Sequence, residues 1–468
     1  MRILEIILVI LVGVRLLAGL KWRDRWLDWL VFGTMVVLGL HLGFEGCRWQ
    51  MLGVYTIVVV MTFLAILRIS QGKPLPKPSI PKFFVMTLIL AAATTIPILV
   101  PIPKSIEPTG PYGIGTMTVM MVDESREELY SAGPPSPRKI MVQIWYPTDP
   151  GITGETTPWI DNVEVMAPAL AELLELPSFS LSHLKYVHGH AHKDAQLSDN
   201  SEQYPVLLFS HGWSGFKAQN TFQVEELVSH GYIIAAPDHA YGAVASVFPD
   251  GEVLLVNPDA LPNRGSLSED ERLGAVRLLG EQWAGDLSFI LDKLLDPGFD
   301  EELTIFSGRI DPDSVGAFGH STGGGAAIEF CGTDHRCDAV LGMDPYMEPV
   351  SQDVINMGSP NPLLAMFSET WNNTRDTNQS AFTQLKSNST GSTIEFHILE
   401  TAHYDFSDLP GLSPLAHTFG LKGKISGDRV VDLINDYTLA FFEQHLNDIE
   451  SMLLTETSTQ YPEVIWGN

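Results

Sequence analysis

The stretch Val315-Gly316-Ala317-Phe318-Gly319-His320-Ser321-Thr322-Gly323-Gly324-Gly325 decides the reading of this chain. Asp311 to Phe318 reads as a strand and Gly323 to Cys331 as a small-residue helix, with Gly-x-Ser-x-Gly set between them. A serine at so sharp a turn needs neighbours without side chains, so Gly319 and Gly323 let strand and helix approach while the hydroxyl projects above the sheet. The helix N-terminus behind it offers unpaired N–H groups and a positive dipole end where an oxyanion would form. Five residues of this kind recur by chance. The flanks the motif requires are what point to a nucleophile at Ser321.

Outward from this turn, short apolar strands are expected at Lys139 to Trp145, Pro205 to Phe209, Tyr232 to Ala236, Ser314 to Phe318, Ala339 to Met343, Pro362 to Phe367 and Ile394 to Leu399. Helical segments alternate with them at Thr221 to His230, Ser268 to Leu295, Gly324 to Cys331, Asn378 to Lys386 and Arg429 to His445. That order predicts a mainly parallel sheet with helices on both faces, the α/β-hydrolase fold, whose chemistry gathers past the carboxyl ends of the strands. Ser321, Asp344 and His403 all fall there, in the chain order serine, acid, histidine.

His403, in Glu400-Thr401-Ala402-His403-Tyr404-Asp405-Phe406, is placed as a general base. His230 and His445 end helices, His397 lies inside a strand and His320 belongs to the serine turn. For the acid, Asp344 and Glu369 each follow a strand, and spacing alone leaves both open. The loop Ser210-His211-Gly212-Trp213-Ser214-Gly215-Phe216 is expected to turn its amides inward, so the N–H groups of Trp213 and Thr322 would form an oxyanion hole.

Residues 1–103 have a different composition. They hold ten basic and four acidic residues, a net charge of +6, against 18 basic and 52 acidic in residues 104–468, a net charge of −34. Four apolar runs, Ile3 to Leu20, Trp26 to Phe44, Met51 to Leu67 and Phe83 to Ile102, each approach the roughly 20 residues that span a bilayer. The first is followed by a tryptophan-flanked basic segment and lacks a small-residue cleavage site, which favours a membrane helix over a signal peptide. Lys21, Arg23, Arg25, Arg68, Lys73, Lys77 and Lys82 fall in the first and third connections. Basic loops stay cytoplasmic, so the N-terminus and residues 104–468 are expected outside the cytoplasm. Glu5 and Arg15 interrupt the first span close enough to its ends to snorkel. A Pro-rich stretch, Pro101 to Pro111, marks the boundary between a four-helix membrane region, 1–103, and a catalytic domain, 104–468. The acidic balance of the latter argues against nucleic acid as a partner.

Several segments resemble the plasma-type platelet-activating factor acetylhydrolases, also called group VII phospholipases A2. They are Phe209-Ser210-His211-Gly212, Ser229 to His239, Gly319 to Gly324, Gly342-Met343-Asp344-Pro345-Tyr346-Met347, Phe367-Ser368-Glu369 and Ala402 to Asp408. Leu421-Lys422-Gly423 and Leu439 to Leu446 continue the likeness, which covers most of residues 112–448. The resemblance implies Ser321 as nucleophile, Asp344 as acid, His403 as base and the Trp213 and Thr322 amides as oxyanion hole. Because that family carries its acid one strand early, it favours Asp344 over Glu369. It also implies a phospholipid substrate with a short or oxidised sn-2 acyl chain, and no cofactor or metal. The membrane region departs from the secreted members of the family. A general carboxylesterase of the dienelactone-hydrolase or polyester-cleaving kind is the alternative, and a receptor or transporter with a ligand-binding hydrolase-like domain is the alternative of another class.

Smaller signals stay open. Cys331 and Cys337 bracket the turn after the serine helix and are either a disulfide or two buried thiols. His188-Gly189-His190-Ala191-His192, with His183 and Asp194, is weighed as a metal site and set aside as a solvated loop. Asn372-Asn373-Thr374, Asn378-Gln379-Ser380 and Asn388-Ser389-Thr390 match the glycosylation sequon.

Overall fold

The computed structural model describes residues 1–467 apart from 77–78, 297, 299, 372–375 and 456, so Lys77 and the Asn372-Asn373-Thr374 sequon lie outside the described residues. The chain forms two compact units: Met1–Pro103 with Leu412–Leu415, and Lys104–Gly411 with Ala416–Asn468.

The first unit contains α1 (Ile3–Lys21), α2 (Trp26–Phe44), α3 (Leu52–Ser70) and α4 (Ile80–Leu99). Four helical segments here, α3 with its short 3-10 lead-in included, are long and apolar enough to cross a membrane. The fourth begins before its apolar run and stops short of Ile102. Pro81 fits the first turn, where its missing N–H costs nothing, and Pro101 pushes Val100 out of helical conformation, to φ −124° and ψ 73°. Leu8, Val12, Leu38, Val54 and Val58 pack inside, whereas Val36, Phe63, Phe84 and Leu88 are exposed. Glu5 does not snorkel. It is fully buried, and Arg48 donates from Nε and Nη2 to its two oxygens at 2.7 and 2.8 Å, neutralising the charge where it stands.

The second unit is built on β1 (Gly113–Glu127), β2 (Pro137–Thr148), β3 (His192–Lys193), β4 (Tyr204–Ser210), β5 (Ile233–Asp238), the hairpin β6 (Ala245–Val247) and β7 (Val253–Leu255), β8 (Ile310–His320), β9 (Ala339–Met343), β10 (Leu363–Ser368), β11 (Thr393–Ile398) and β12 (Val464–Trp466). Ten of these strands form one sheet in the order β12-β11-β10-β9-β8-β4-β5-β2-β1-β3. From β5 through β4, β8, β9 and β10 to β11 the pairs are parallel; β2 runs antiparallel to both β5 and β1, and β12 antiparallel to β11. The helices are α5 (Val163–Leu173), α6 (Thr221–Ser229), α7 (Glu269–Leu295), α8 (Thr322–Thr333), α9 (Gln352–Met357), α10 (Asp376–Asn388) and α11 (Gly427–Leu446).

The parallel centre was legible because β5, β9 and β10 are buried at every position and read as near-continuous apolar runs, broken only at their ends by Asp238 and Ser368. The edge was not. In β1, Gly113, Gly115 and three methionines interrupt the β-branched residues Ile114, Thr116, Thr118, Val119 and Val122, and pairing with β2 completes the strand. Leu208, Ala317, Val340 and Phe367 from the sheet meet Leu287, Ile290 and Ala327 from the helices in the main core. Cys331 and Cys337 are disulfide-bonded, closing the turn after α8, and Cys47 is in no disulfide.

Candidate active site

Ser321 ends β8 and caps α8 with φ 57° and ψ −120°, a conformation that L residues adopt only when their surroundings impose it. A Cβ on Gly319 would stand 2.3 Å from the Gly323 carbonyl oxygen, and one on Gly323 would stand 2.1 Å from that of Ser210. Both positions therefore require glycine, as the turn predicts. The serine backbone is tied to the next strand: Ser321 N–H donates to the Met343 carbonyl at 2.9 Å, and Tyr346 N–H donates to that of Ser321 at 2.8 Å.

Asp344 follows β9 in the left-handed region at φ 44° and is almost fully buried. His403 Nδ1 bonds its Oδ2 at 2.9 Å, while Ser368 donates from its amide to Oδ1 at 2.6 Å and from its hydroxyl to Oδ2 at 2.7 Å. Three donors hold the carboxylate in one orientation. Glu369, the other acid that spacing left open, is exposed and accepts the Glu400 amide at 2.6 Å. His403 keeps 38% of its side chain exposed, against 0% for Asp344. Ser321, Thr322, Trp213, Asp344 and His403 all line one cavity of about 410 Å³.

Thr322 is the first residue of α8, so its amide has no intrahelical acceptor. The Gly212–Trp213 peptide is clamped by its carbonyl, which accepts from His211 Nδ1 at 2.7 Å and from Gly215 N–H at 2.8 Å. In a planar trans peptide the following N–H, that of Trp213, points the opposite way. Gln219, which sequence reasoning passed over, and His320, which it assigned only to the serine turn, complete the support. Gln219 accepts the Gly212 amide at 3.1 Å and reaches His320 Nδ1 with its own amide nitrogen at 3.1 Å. His320 Nε2 then bonds the His403 carbonyl at 2.9 Å, with the two rings 4.4 Å apart. Burial, reinforced by the nearby His403, pushes the His320 imidazole well below its ordinary value, so it stays neutral and braces the His403 backbone. A glutamine in a loop carries no motif, and only the tertiary contacts reveal its position.

A second serine, histidine and aspartate lie deeper. Ser210 Oγ and His239 Nε2 are 2.9 Å apart, and His239 Nδ1 bonds Asp286 Oδ2 at 2.9 Å, with all three side chains sealed from solvent. Arg138 adds two bonds to Asp286 at 2.6 and 3.1 Å, and Arg126 a third at 2.9 Å. Burial alone would raise the Asp286 carboxyl, but Arg138 and the His239 bond outweigh it and hold the group far below the usual carboxylate range. The Trp283 ring stacks on His239 at 4.2 Å and on Trp213 at 6.4 Å.

In the histidine-rich loop, His190 Nδ1 bonds Glu225 at 2.8 Å and His188 Nδ1 bonds the Thr156 carbonyl at 2.8 Å. Among the described residues, Glu5, His41 and Glu45 stand close enough to share an ion, yet Arg48 occupies both Glu5 oxygens, and Glu45 and Tyr55 occupy the two His41 nitrogens at 2.9 and 2.6 Å. Of the sequons, Asn378 is buried and accepts the Met347 amide at 3.0 Å, leaving no room for a glycan, whereas Asn388 is exposed.

A mostly parallel sheet with a strained serine turn at the end of its central strand puts the chain among the α/β-hydrolases. The solved ferulic acid esterase from Streptomyces cinnamoneus shares this fold with a TM-score of 0.62 at 24% identity, over 79% of this chain and 100% of that one. Residues 103–252 and 270–454 match the family described as platelet-activating factor acetylhydrolase, isoform II, and the chain belongs to that family. The platelet-activating factor acetylhydrolase of Cavia porcellus is 27% identical over 74% of this chain and 78% of its own length. A probable 1-alkyl-2-acetylglycerophosphocholine esterase of Arthroderma benhamiae is 24% identical over 80% of this chain and 96% of its own. This chain is an ester hydrolase.

Proposed function

We propose a membrane-anchored serine ester hydrolase that removes short or oxidised sn-2 acyl chains from phospholipids through an acyl-enzyme. The observation that carries this reading is the 2.9 Å bond from His403 Nδ1 to the buried Asp344, on the wall of the cavity that Ser321 also lines. His403 takes the proton of Ser321 as the oxygen attacks the ester carbonyl, and Asp344 fixes the ring and stabilises its cation. The Trp213 and Thr322 amides hold the tetrahedral oxyanion, and the proton then passes to the departing alcohol. Water repeats the cycle on the acyl-serine and releases the acid. Apart from solvent water, the steps use groups that these five residues supply. A fluorophosphonate probe should label the wild type and not Ser321→Ala. Equal labelling of the two sinks the assignment.

The family and the names of its relatives support the substrate class. A pocket that stops short of a long chain cannot collect the roughly 0.8 kcal/mol that each buried methylene would otherwise contribute. Acetyl and other short sn-2 esters should therefore outrun palmitoyl ones in a chain-length series, and activity confined to aryl or polyester substrates would leave a general carboxylesterase instead.

Residues 1–103 serve as the anchor and 104–468 as the extracytoplasmic catalytic domain. The apolar exterior of the four helices, the basic first and third connections and the Cys331–Cys337 disulfide, a bond that persists in oxidising compartments, all support this. A reporter fused after Asn468 should give an extracytoplasmic signal.

A further inference from the structure

The connection from β7 to α7 brings a cation to the cavity. Arg264 lines it together with Asn263 and Leu261, in a chain whose net charge is −28. One nitrogen of the guanidinium is engaged: Arg264 Nη2 pairs with Glu348 and meets Thr377 Oγ1 at 3.2 Å. Glu348 is a shared counter-charge, since the buried Arg272 takes its other oxygen at 2.8 Å and the Tyr346 hydroxyl donates to it as well. Arg264 keeps 48% of its side chain exposed, and among the described residues its Nε and Nη1 groups make no hydrogen bond to the protein. A guanidinium with free N–H groups, in a wall shared with Ser321 and His403, suits a planar or tetrahedral oxyanion.

We infer that Arg264, assisted by the Asn263 amide, forms a subsite for an anionic group that the ester carries a short chain away from its scissile carbonyl. The chemistry is shared by two sources: the phosphodiester on the alcohol side of a glycerophospholipid, and the terminal carboxylate of an oxidised acyl chain. The inference rests on the serine hydrolase reading above and adds to it the group that orients the substrate.

The test uses the full chain in detergent micelles with three esters: neutral p-nitrophenyl butyrate, a 2-acetyl glycerophosphocholine, and the p-nitrophenyl monoester of glutaric acid. The readout is kcat/KM for each anionic ester divided by that for the neutral one. In Arg264→Gln this ratio should fall roughly tenfold or more for at least one anionic ester, mainly through KM, as expected for a lost charge-assisted hydrogen bond. Which ester responds identifies the source, and Arg264→Lys should recover part of the ratio. Ratios unmoved in an active enzyme overturn the subsite alone, as does an equal fall on all three esters, which would make Arg264 a strut that pins Glu348. A wild type inactive on every ester overturns the hydrolase reading and the subsite with it.

Discussion

The hydrolase unit contains the same three side-chain types twice. Ser321, Asp344 and His403 meet at a cavity, with the histidine more than a third exposed, whereas Ser210, His239 and Asp286 are bonded in sequence and sealed beneath Trp283. The deeper set has the hydrogen bonds of a triad and none of its access. Its serine ends β4 in a strand, with no strained turn to lift the hydroxyl, and its aspartate answers two arginines as well as the histidine. Residue types and bonding are thus insufficient. On the proposed reading, an open cavity, backbone strain at Ser321 and adjacent amide donors separate a reacting site from a structural one.

The largest expected effect breaks the comparison most directly. Ser321→Ala should lower turnover by roughly four orders of magnitude or more with the fold intact, because members of such a set act as a unit. Ser210→Ala should keep turnover within about tenfold and lose only about 1 kcal/mol of stability for one buried hydrogen bond. Comparable losses of activity in the two variants would make the deeper set part of the chemistry.

Next in size is the acid. Asp344→Asn should cost roughly 10³–10⁴ in kcat by disturbing the histidine tautomer, while Glu369→Gln, which touches only the Glu400 amide, should change it by less than about threefold. The reverse ranking in steady-state kinetics would move the acid one strand later.

Asp286 sharpens the contrast through stability. Asp286→Asn leaves Arg138 buried without its main partner and should cost about 3–5 kcal/mol in a denaturation midpoint measurement at neutral pH. The pH dependence has a fixed sign. A carboxyl held low in the folded state contributes stability above its unfolded value near 4, and that contribution is lost as pH falls toward the folded value. Wild type should therefore lose more stability between about pH 5 and 2 than Asp286→Asn does. Parallel acid profiles would show that Asp286 is not the group responsible.

The smallest effect concerns the Gln219–His320 brace beneath His403. Gln219→Leu removes the bonds to Gly212 and His320 and should lower kcat by about 10–100-fold by loosening the oxyanion loop. Its KM for a neutral ester should barely change.

The sequence by itself determined the serine turn, the parallel strands around it and the apolar helices ahead of them. Each is written in local periodicity and in glycines whose absent side chains make room for backbone, and those signals survive without knowledge of neighbours. Local spacing singled out Ser321 and left Asp344 and Glu369 level, with only the family resemblance favouring Asp344, because both acids follow strands and differ in what comes near them in space. Tertiary structure decided that Ser368 and His403 converge on Asp344, that Gln219 and His320 brace His403 and the Gly212–Trp213 loop, and that Ser210, His239 and Asp286 close on themselves in the interior. Apart from the Gln219–Gly212 bond, those contacts join residues from 24 to 101 positions apart. No window on the chain contains both partners, and only the packing of the sheet brings them within hydrogen-bond reach.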